Sequence, residues 1–225
     1  MLFHPGIEVP AVRLRPRLRS SKPLRYYDGR AHFALNFAMC AGGIAWCVSR
    51  LQSVMPLELL AVPATLLYSN VVEYFIHREI MHKRRPGLGI LYESHHREHH
   101  RFFTARNMGA ESHKDYAFIL YPPILGIVVF VGGLGTPPVL VASLLATPNA
   151  ALLAGASIIS YFLNYELLEF CYHSSVSSPL RRLPLISRLA RHHRDHHRRP
   201  TTRNFNVTYP LVDWLAGTLD RESPR

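Results

Sequence analysis

Residues Glu73 to His100 read EYFIHREIMHKRRPGLGILYESHHREHH and carry His77, His82, His95, His96, His99 and His100. A second cluster, HHRDHH from His192 to His197, nearly repeats HHREHH from His95 to His100. So many imidazoles among so many cations would make a poor solvated surface. They make sense as neutral ligands of a transition metal. A tag-like tract would be contiguous, whereas these histidines recur at matched spacing in separate segments.

Helix geometry puts positions i, i+3 and i+4 on one face. His96, His99 and His100 have that spacing, and so do His193, His196 and His197. Each triplet is expected to point three ring nitrogens at one place. His77 and His82 are five apart, about 140° around an ideal helix. They serve two metals, or the helix loosens between them. Glu169 and His173, at i and i+4, form one more pair. These ten candidate ligands are too many for one ion and about right for two.

The chain has 225 residues, 26 Lys and Arg against 15 Asp and Glu, and a net charge of +11, yet 48% of it is hydrophobic. Charge alone would suit a nucleic-acid binder. The apolar residues, however, come in long runs, so charge and apolar surface are segregated, as in a membrane protein with basic cytoplasmic faces. No nucleic-acid partner is expected. Cys40, Cys47 and Cys171 lie in apolar stretches and read as buried small hydrophobes. No signal peptide is visible in the first thirty residues.

Working outward, residues 1–30 read as a basic, Pro- and Arg-rich extended arm on anionic headgroups, with Arg13, Arg15, Arg17 and Arg19 spaced by two. Residues 31–49, 57–76, 116–134 and 150–168 have the length and apolarity of spans across about 30 Å of hydrocarbon. Pro63 is placed to kink the second, and Pro122 and Pro123 interrupt the third. The stretch from Gly135 to Asn149 reads as a re-entrant or interfacial piece. Short amphipathic helices, over 90–101 and from Leu185 to His197, carry the two HxxHH motifs. With the N-terminus in the cytoplasm, every Lys and Arg except Arg50 falls inside, which supports that orientation. Both termini are then cytoplasmic, and all candidate ligands lie on one side. The expected architecture is an all-α membrane protein of about four transmembrane helices with a cytosolic helical cap. The domain spans 31–220, and 221–225 form a tail.

On these residues the chain resembles the fatty acid hydroxylase/sterol desaturase superfamily of integral membrane di-iron enzymes. The pattern is HxxxxH at His77–His82, HxxHH at His96–His100, a third motif near Tyr165 to His173, and HxxHH at His193–His197. The closing segment, with Asn204, Asp213, Gly217 and Thr218, is also similar, so the resemblance runs from about Glu73 to Thr218. One departure is Glu169, where relatives commonly carry histidine. It is read as a ligand, a salt-bridge partner of the cap, or a group that orients a ligand histidine. His95 and His192 lie off the expected ligand faces, and His113 is a weaker candidate. His4 and His32 are read as unrelated. Glu73 either holds the far nitrogen of His77 or pairs with a basic residue.

The resemblance implies two iron ions, with zinc able to substitute in isolated protein, and O2 as co-substrate. It implies hydroxylation of a fatty acyl or sphingoid chain, with a sterol or carotenoid hydroxylase or desaturase as the alternative. Tyr161, Phe162 and Phe170 are expected to line the groove. Arg97, Arg101, Arg181 and Arg182 are read first as positive-inside anchors. Electrons are expected from a separate carrier, cytochrome b5-like or ferredoxin-like. Non-enzyme readings are a metal transporter or a catalytically dead lipid-binding member. A bacterial inner membrane and an endoplasmic reticulum are equally compatible. The substrate, the electron donor and the oligomeric state are not specified by the sequence.

Overall fold

The computed structural model describes residues 11–126, 132, 135–174 and 178–220. Every regular element among them is helical, with one isolated bridge between Thr104 and Asn107. The expected tail at 221–225, His4 and most of 127–134 lie outside the described residues.

The N-terminal segment is not extended where it is described. Helix α1, Ala11–Ser21, packs on the short helix that ends the first histidine segment. The alternating arginines sort by helical period: Arg15 and Arg19 share a face, and Arg17 is exposed. Helix α2, Gly29–Ser49, starts at Asp28, whose carboxylate accepts from the amides of Arg30 and Ala31 at 2.8 and 3.3 Å. Those bonds satisfy donors that a helix start leaves without partners.

A 3-10 turn, Pro56–Leu60, leads into α3, Ala61–Ile76. Pro63 falls in the first turn of α3, where its missing N–H costs nothing. It marks the join to the 3-10 turn rather than a kink within the span. The chain then runs through a π turn, His77–Met81. The next helical run comprises α4, Gly89–Tyr92, a π-helical segment, Glu93–His99, and α5, His100–Phe102.

The expected third span is not one helix. It opens as a 3-10 turn, His113–Phe118, and restarts at Pro123 as α6, Pro123–Leu125. The Pro122–Pro123 pair is the reason, because neither residue can donate to a continuing helix. Helix α7, Gly135–Leu145, is an ordinary apolar helix that packs against α8. Helix α8, Pro148–His173, has Pro148 in its first turn and Thr147 as its cap. The amphipathic α9, Pro184–Arg198, and α10, Leu211–Leu215, complete the chain.

Among the described residues, three helical runs are long and apolar enough to cross a membrane: Gly29–Ser49, Pro56–Met81 and Pro148–His173. Helices α2, α3 and α7 all pack on α8, which is the central helix. Their outward faces expose Leu35, Phe37, Trp46, Leu67 and Leu144, as lipid-facing helices do. The three cysteines are free and buried. At one end of the bundle, Met81, Leu91, Tyr165, Tyr172 and Leu189 pack into a core beneath the histidine segments.

Candidate metal centre

The ends of α3 and α8 meet the 89–102 helical run and α9, and nine buried histidines converge there in two groups. His77, His82, His95, His100 and His196 form the first; His99, His173, His193 and His197 form the second. Within each group, one nitrogen from every ring lies within 4.8 Å of the others. The groups are neighbours, with the rings of His100 and His197 4.2 Å apart.

Two π turns create this arrangement. The amide of His82 bonds the carbonyl of His77 at 3.2 Å, an i+5 bond that widens the helix. The five-residue step then returns to the same face, so His77 and His82 join one group. The helix loosens between them, as one of the two alternatives foresaw. The 93–99 segment repeats the device: the amide of His100 bonds the carbonyl of His95, and their Nε2 atoms are 3.0 Å apart. Such π turns recur at functional sites.

The same widening redistributes the HxxHH triplets. His99 and His100 go to different groups, and His96 joins neither. It is half-buried, stacked on Tyr92, with its Nδ1 3.0 Å from the Nδ1 of His82. His95, which α-helical geometry placed off the ligand face, is in the first group. In α9 the spacing is truly α-helical, but its face straddles both groups: His193 and His197 point to one, His196 to the other. No triplet converges on a single point.

The hydrogen bonds fix the state of the rings. The Nδ1 atoms of His99, His173, His196 and His197 lie 2.7–2.9 Å from the carbonyls of Phe118, Met108, Arg203 and Phe103. That of His77 bonds the carbonyl of Phe205. A carbonyl only accepts, so each of these Nδ1 atoms donates, and the Nε2 is the nitrogen each ring turns inward. Burial, reinforced by neighbouring imidazoles, holds His82, His95, His100, His196 and His197 below the ordinary histidine pKa and so keeps them neutral.

The consequence is a test of metal fit. The Nε2 atoms of His99 and His197 are 3.2 Å apart, and both rings donate from Nδ1 to carbonyls on their far sides. Glu169 adds a carboxylate oxygen 3.0 Å from the same His99 Nε2, and its other oxygen lies 3.4 Å from the Nε2 of His193. That second oxygen is buried with no hydrogen-bond partner, as is the Nδ1 of His100. Each polar group left so costs about 1–3 kcal/mol. A cation between Glu169 and the nitrogens of the second group would remove the penalty on its oxygen, and nitrogen donors with one carboxylate suit a first-row transition metal. The first group offers five imidazoles; the second offers four, with Glu169 beside them.

Separate scaffolds hold the carbonyls. For the first group they belong to Arg203 and Phe205. The Asp213 carboxylate accepts the amides of Phe205 and Asn206 at 2.9 and 2.7 Å, and Thr218 donates to it at 2.7 Å. Asn204 and Gly217 occupy left-handed positions, φ +57° and +68°, that shape this turn. Glu73 accepts the amides of Val207 and Thr208 at 2.5 and 3.0 Å and the hydroxyl of Tyr161. It therefore holds neither His77 nor a basic residue of the cap.

The remaining candidates lie outside both groups. His192 bonds the carbonyl of Asn206 at 3.0 Å. His32 lies between the Tyr27 hydroxyl and the Tyr121 carbonyl. His113 begins the 3-10 turn before Phe118. Tyr161 and Phe162 line a small cavity between α3 and α8 with Tyr68, Val72, Ile158 and Tyr165. Phe170 faces elsewhere, packed on Phe33 and Tyr116. A second small cavity reaches His95, His99 and Glu169 and is also lined by Tyr165.

Comparison with known proteins places these observations. One match among solved structures is described as full length scs7p with only the hydroxylase domain visible. It is 19% identical, covers 90% of this chain and 70% of that one, and has a TM-score of 0.60, a likeness of fold. No curated protein matches. The family model for fatty acid hydroxylases matches residues 62–218, which include all nine grouped histidines and both scaffolding acids, Glu73 and Asp213. The chain belongs to the fatty acid hydroxylase family.

Proposed function

We propose that the protein is an O2-dependent, di-iron lipid hydroxylase of the membrane, acting on a fatty acyl or sphingoid chain. The observation that carries this reading is the convergence of two buried histidine groups, with the Nε2 atoms of His99 and His197 3.2 Å apart beside the Glu169 carboxylate and their Nδ1 atoms bonded to carbonyls. His77, His82, His95, His100 and His196 would hold one ion. His99, His173, His193 and His197, with Glu169, would hold the other. Bound iron would supply the electron and O2 chemistry needed to attack an unactivated C–H bond.

The chain's own residues supply orientation and exclusion of water. The carbonyls of Phe103, Met108 and Phe118 aim the second group. The fully buried Phe103, Tyr172 and Phe205 pack against the rings. The apolar cavity between α3 and α8 suits an acyl chain reaching from the bilayer. Tyr165 lines both this cavity and the one that opens on His95, His99 and Glu169, so the chain would pass Tyr165. The exposed Arg97, Arg101 and Arg182 suit an acidic electron carrier as well as anionic headgroups. With the basic residues inside, both termini would be cytoplasmic.

Comparative lipid mass spectrometry tests the reading. Cells would express wild type or His99→Ala at matched levels with a redox partner supplied. A lipid gaining one oxygen only with wild type is expected and names the substrate class. Loss of two hydrogens instead would mean desaturation. No wild-type-dependent lipid across several lipid backgrounds and donors would overturn the proposal.

A further inference from the structure

Arg15 and Lys22 lie before the family match begins at residue 62, yet both are wired to the second histidine group. Arg15 is only 4% exposed. Its Nε donates to the carbonyl of Phe102 at 2.8 Å, one Nη to that of Asn107 at 2.7 Å, and the other to that of Gly109 at 3.0 Å and to Glu111 at 2.9 Å. The carbonyls next to these bond histidines instead. That of Phe103 takes the Nδ1 of His197, and that of Met108 takes the Nδ1 of His173. Lys22 repeats the pattern: its ammonium donates to the carbonyl of Ala117 at 3.0 Å, while the next carbonyl, of Phe118, takes the Nδ1 of His99.

Each carbonyl that bonds a histidine belongs to the residue next to one whose carbonyl a cation holds, and planar peptide units link the two. A cation gripping one carbonyl therefore restrains its neighbour. Resting on the metal reading above, we infer that Arg15, assisted by Lys22, is a positioning residue for the second metal site and not for the first. Three of that group's four histidines take their orientation from carbonyls that directly neighbour those the two cations hold. The first group takes its carbonyls from 203–205, held by Asp213. The two ions would thus rest on separate scaffolds, one inside the family match and one supplied by the N-terminal helix. Arg15 reaches three separated carbonyls from three different nitrogens of a planar fork, a spread that the single nitrogen of a lysine lacks.

The test counts iron on the full chain, purified in detergent, loaded anaerobically with ferrous iron and taken as the folded fraction. Wild type is expected to hold two irons. Arg15→Gln is expected to hold one, His82→Ala one, and the double variant none, because the two changes strike different sites. Arg19→Gln, which breaks the adjacent ion pairs to Glu111 and Asp115 without touching a carbonyl, keeps two. Arg15→Lys keeps the second iron but binds it about 10–100-fold more weakly. Two irons with unchanged release to a chelator in Arg15→Gln would overturn the role of Arg15. So would one iron retained by the double variant, or loss of both irons from a folded Arg15→Gln chain. If Arg15→Gln yields no folded protein, Arg15→Lys decides, and release at the wild-type rate would overturn the inference. Fewer than two irons in wild type would instead overturn the metal reading on which it rests.

Discussion

His95 and His96 are neighbours with opposite fates, and replacing each should separate them. His95 has its Nε2 2.8 Å from that of His77 and 3.0 Å from that of His100, inside the first group. His95→Ala should cost one bound metal per chain. His96 meets the centre through the far nitrogen of His82, so His96→Ala should keep both metals at saturation with about 10–100-fold weaker affinity at one. Metal titration on the purified variants checks this, and equal behaviour of the two would contradict the grouping. Glu169 is tested by a different contrast. Its oxygens lie within 3.6 Å of three imidazoles of the second group. Glu169→His should preserve metal and turnover if the residue ligates, and Glu169→Ala should lose both. Normal turnover in Glu169→Ala would leave it a structural role.

At the level of elements, the two π turns are the features that α-helical spacing hides. A five-residue step misses the face of an ordinary helix by about 140°, and only the i+5 bond restores it. The signal was nonetheless present twice: His77–His82 and His95–His100 share one spacing, in two helices that meet. Reading 96, 99 and 100 as a triplet obscured it. Close packing elsewhere gives a further check. A Cβ on Gly29 would lie 1.9 Å from the carbonyl of His113 and 2.7 Å from the Tyr116 ring, so α2 and the 113–118 turn meet only because this position has no side chain. Gly29→Ala should destabilise by about 1–3 kcal/mol, lowering the thermal midpoint in detergent by roughly 2–12 °C. Gly42, in the middle of the same helix, has nothing within 4 Å of an added Cβ. Gly42→Ala should be neutral or stabilising by up to about 1 kcal/mol. Similar losses from both changes would refute the contact argument.

For the whole molecule, the centre makes stability depend on pH. The folded-state pKa values of His82, His95, His100, His196 and His197 lie below the ordinary value, with burial the main cause. The unfolded chain therefore takes up protons that the folded chain refuses. The metal-free protein should keep its full stability above about pH 6.5 and lose it as the pH falls below that. Metal on the nitrogens competes with protons, so the loaded protein should resist to lower pH. Thermal midpoints of both forms between about pH 7.5 and 5.5 check this; a flat profile for the metal-free form would mean that the histidines are not buried neutral.

The amino-acid order alone gave the all-helical class and spans at 31–49, 57–76 and 150–168, which the structure contains within Gly29–Ser49, Pro56–Met81 and Pro148–His173. Apolar length and histidine spacing are local properties, and a linear reading captures them. It also placed the histidine motifs at one end of the spans, because charge segregates along the chain. What only the tertiary structure decided is which histidine serves which group, why His95 enters and His96 does not, and how the N-terminal segment joins the centre. Those assignments depend on where i+5 bonds form and on which distant carbonyl meets each Nδ1. The partners of His77, His173 and His197 lie 128, 65 and 94 residues away along the chain. Arg15 reaches its carbonyls across 87 to 94 residues. No spacing rule spans such distances, because they are set by the packing of the helices on α8 rather than by the period of any one of them.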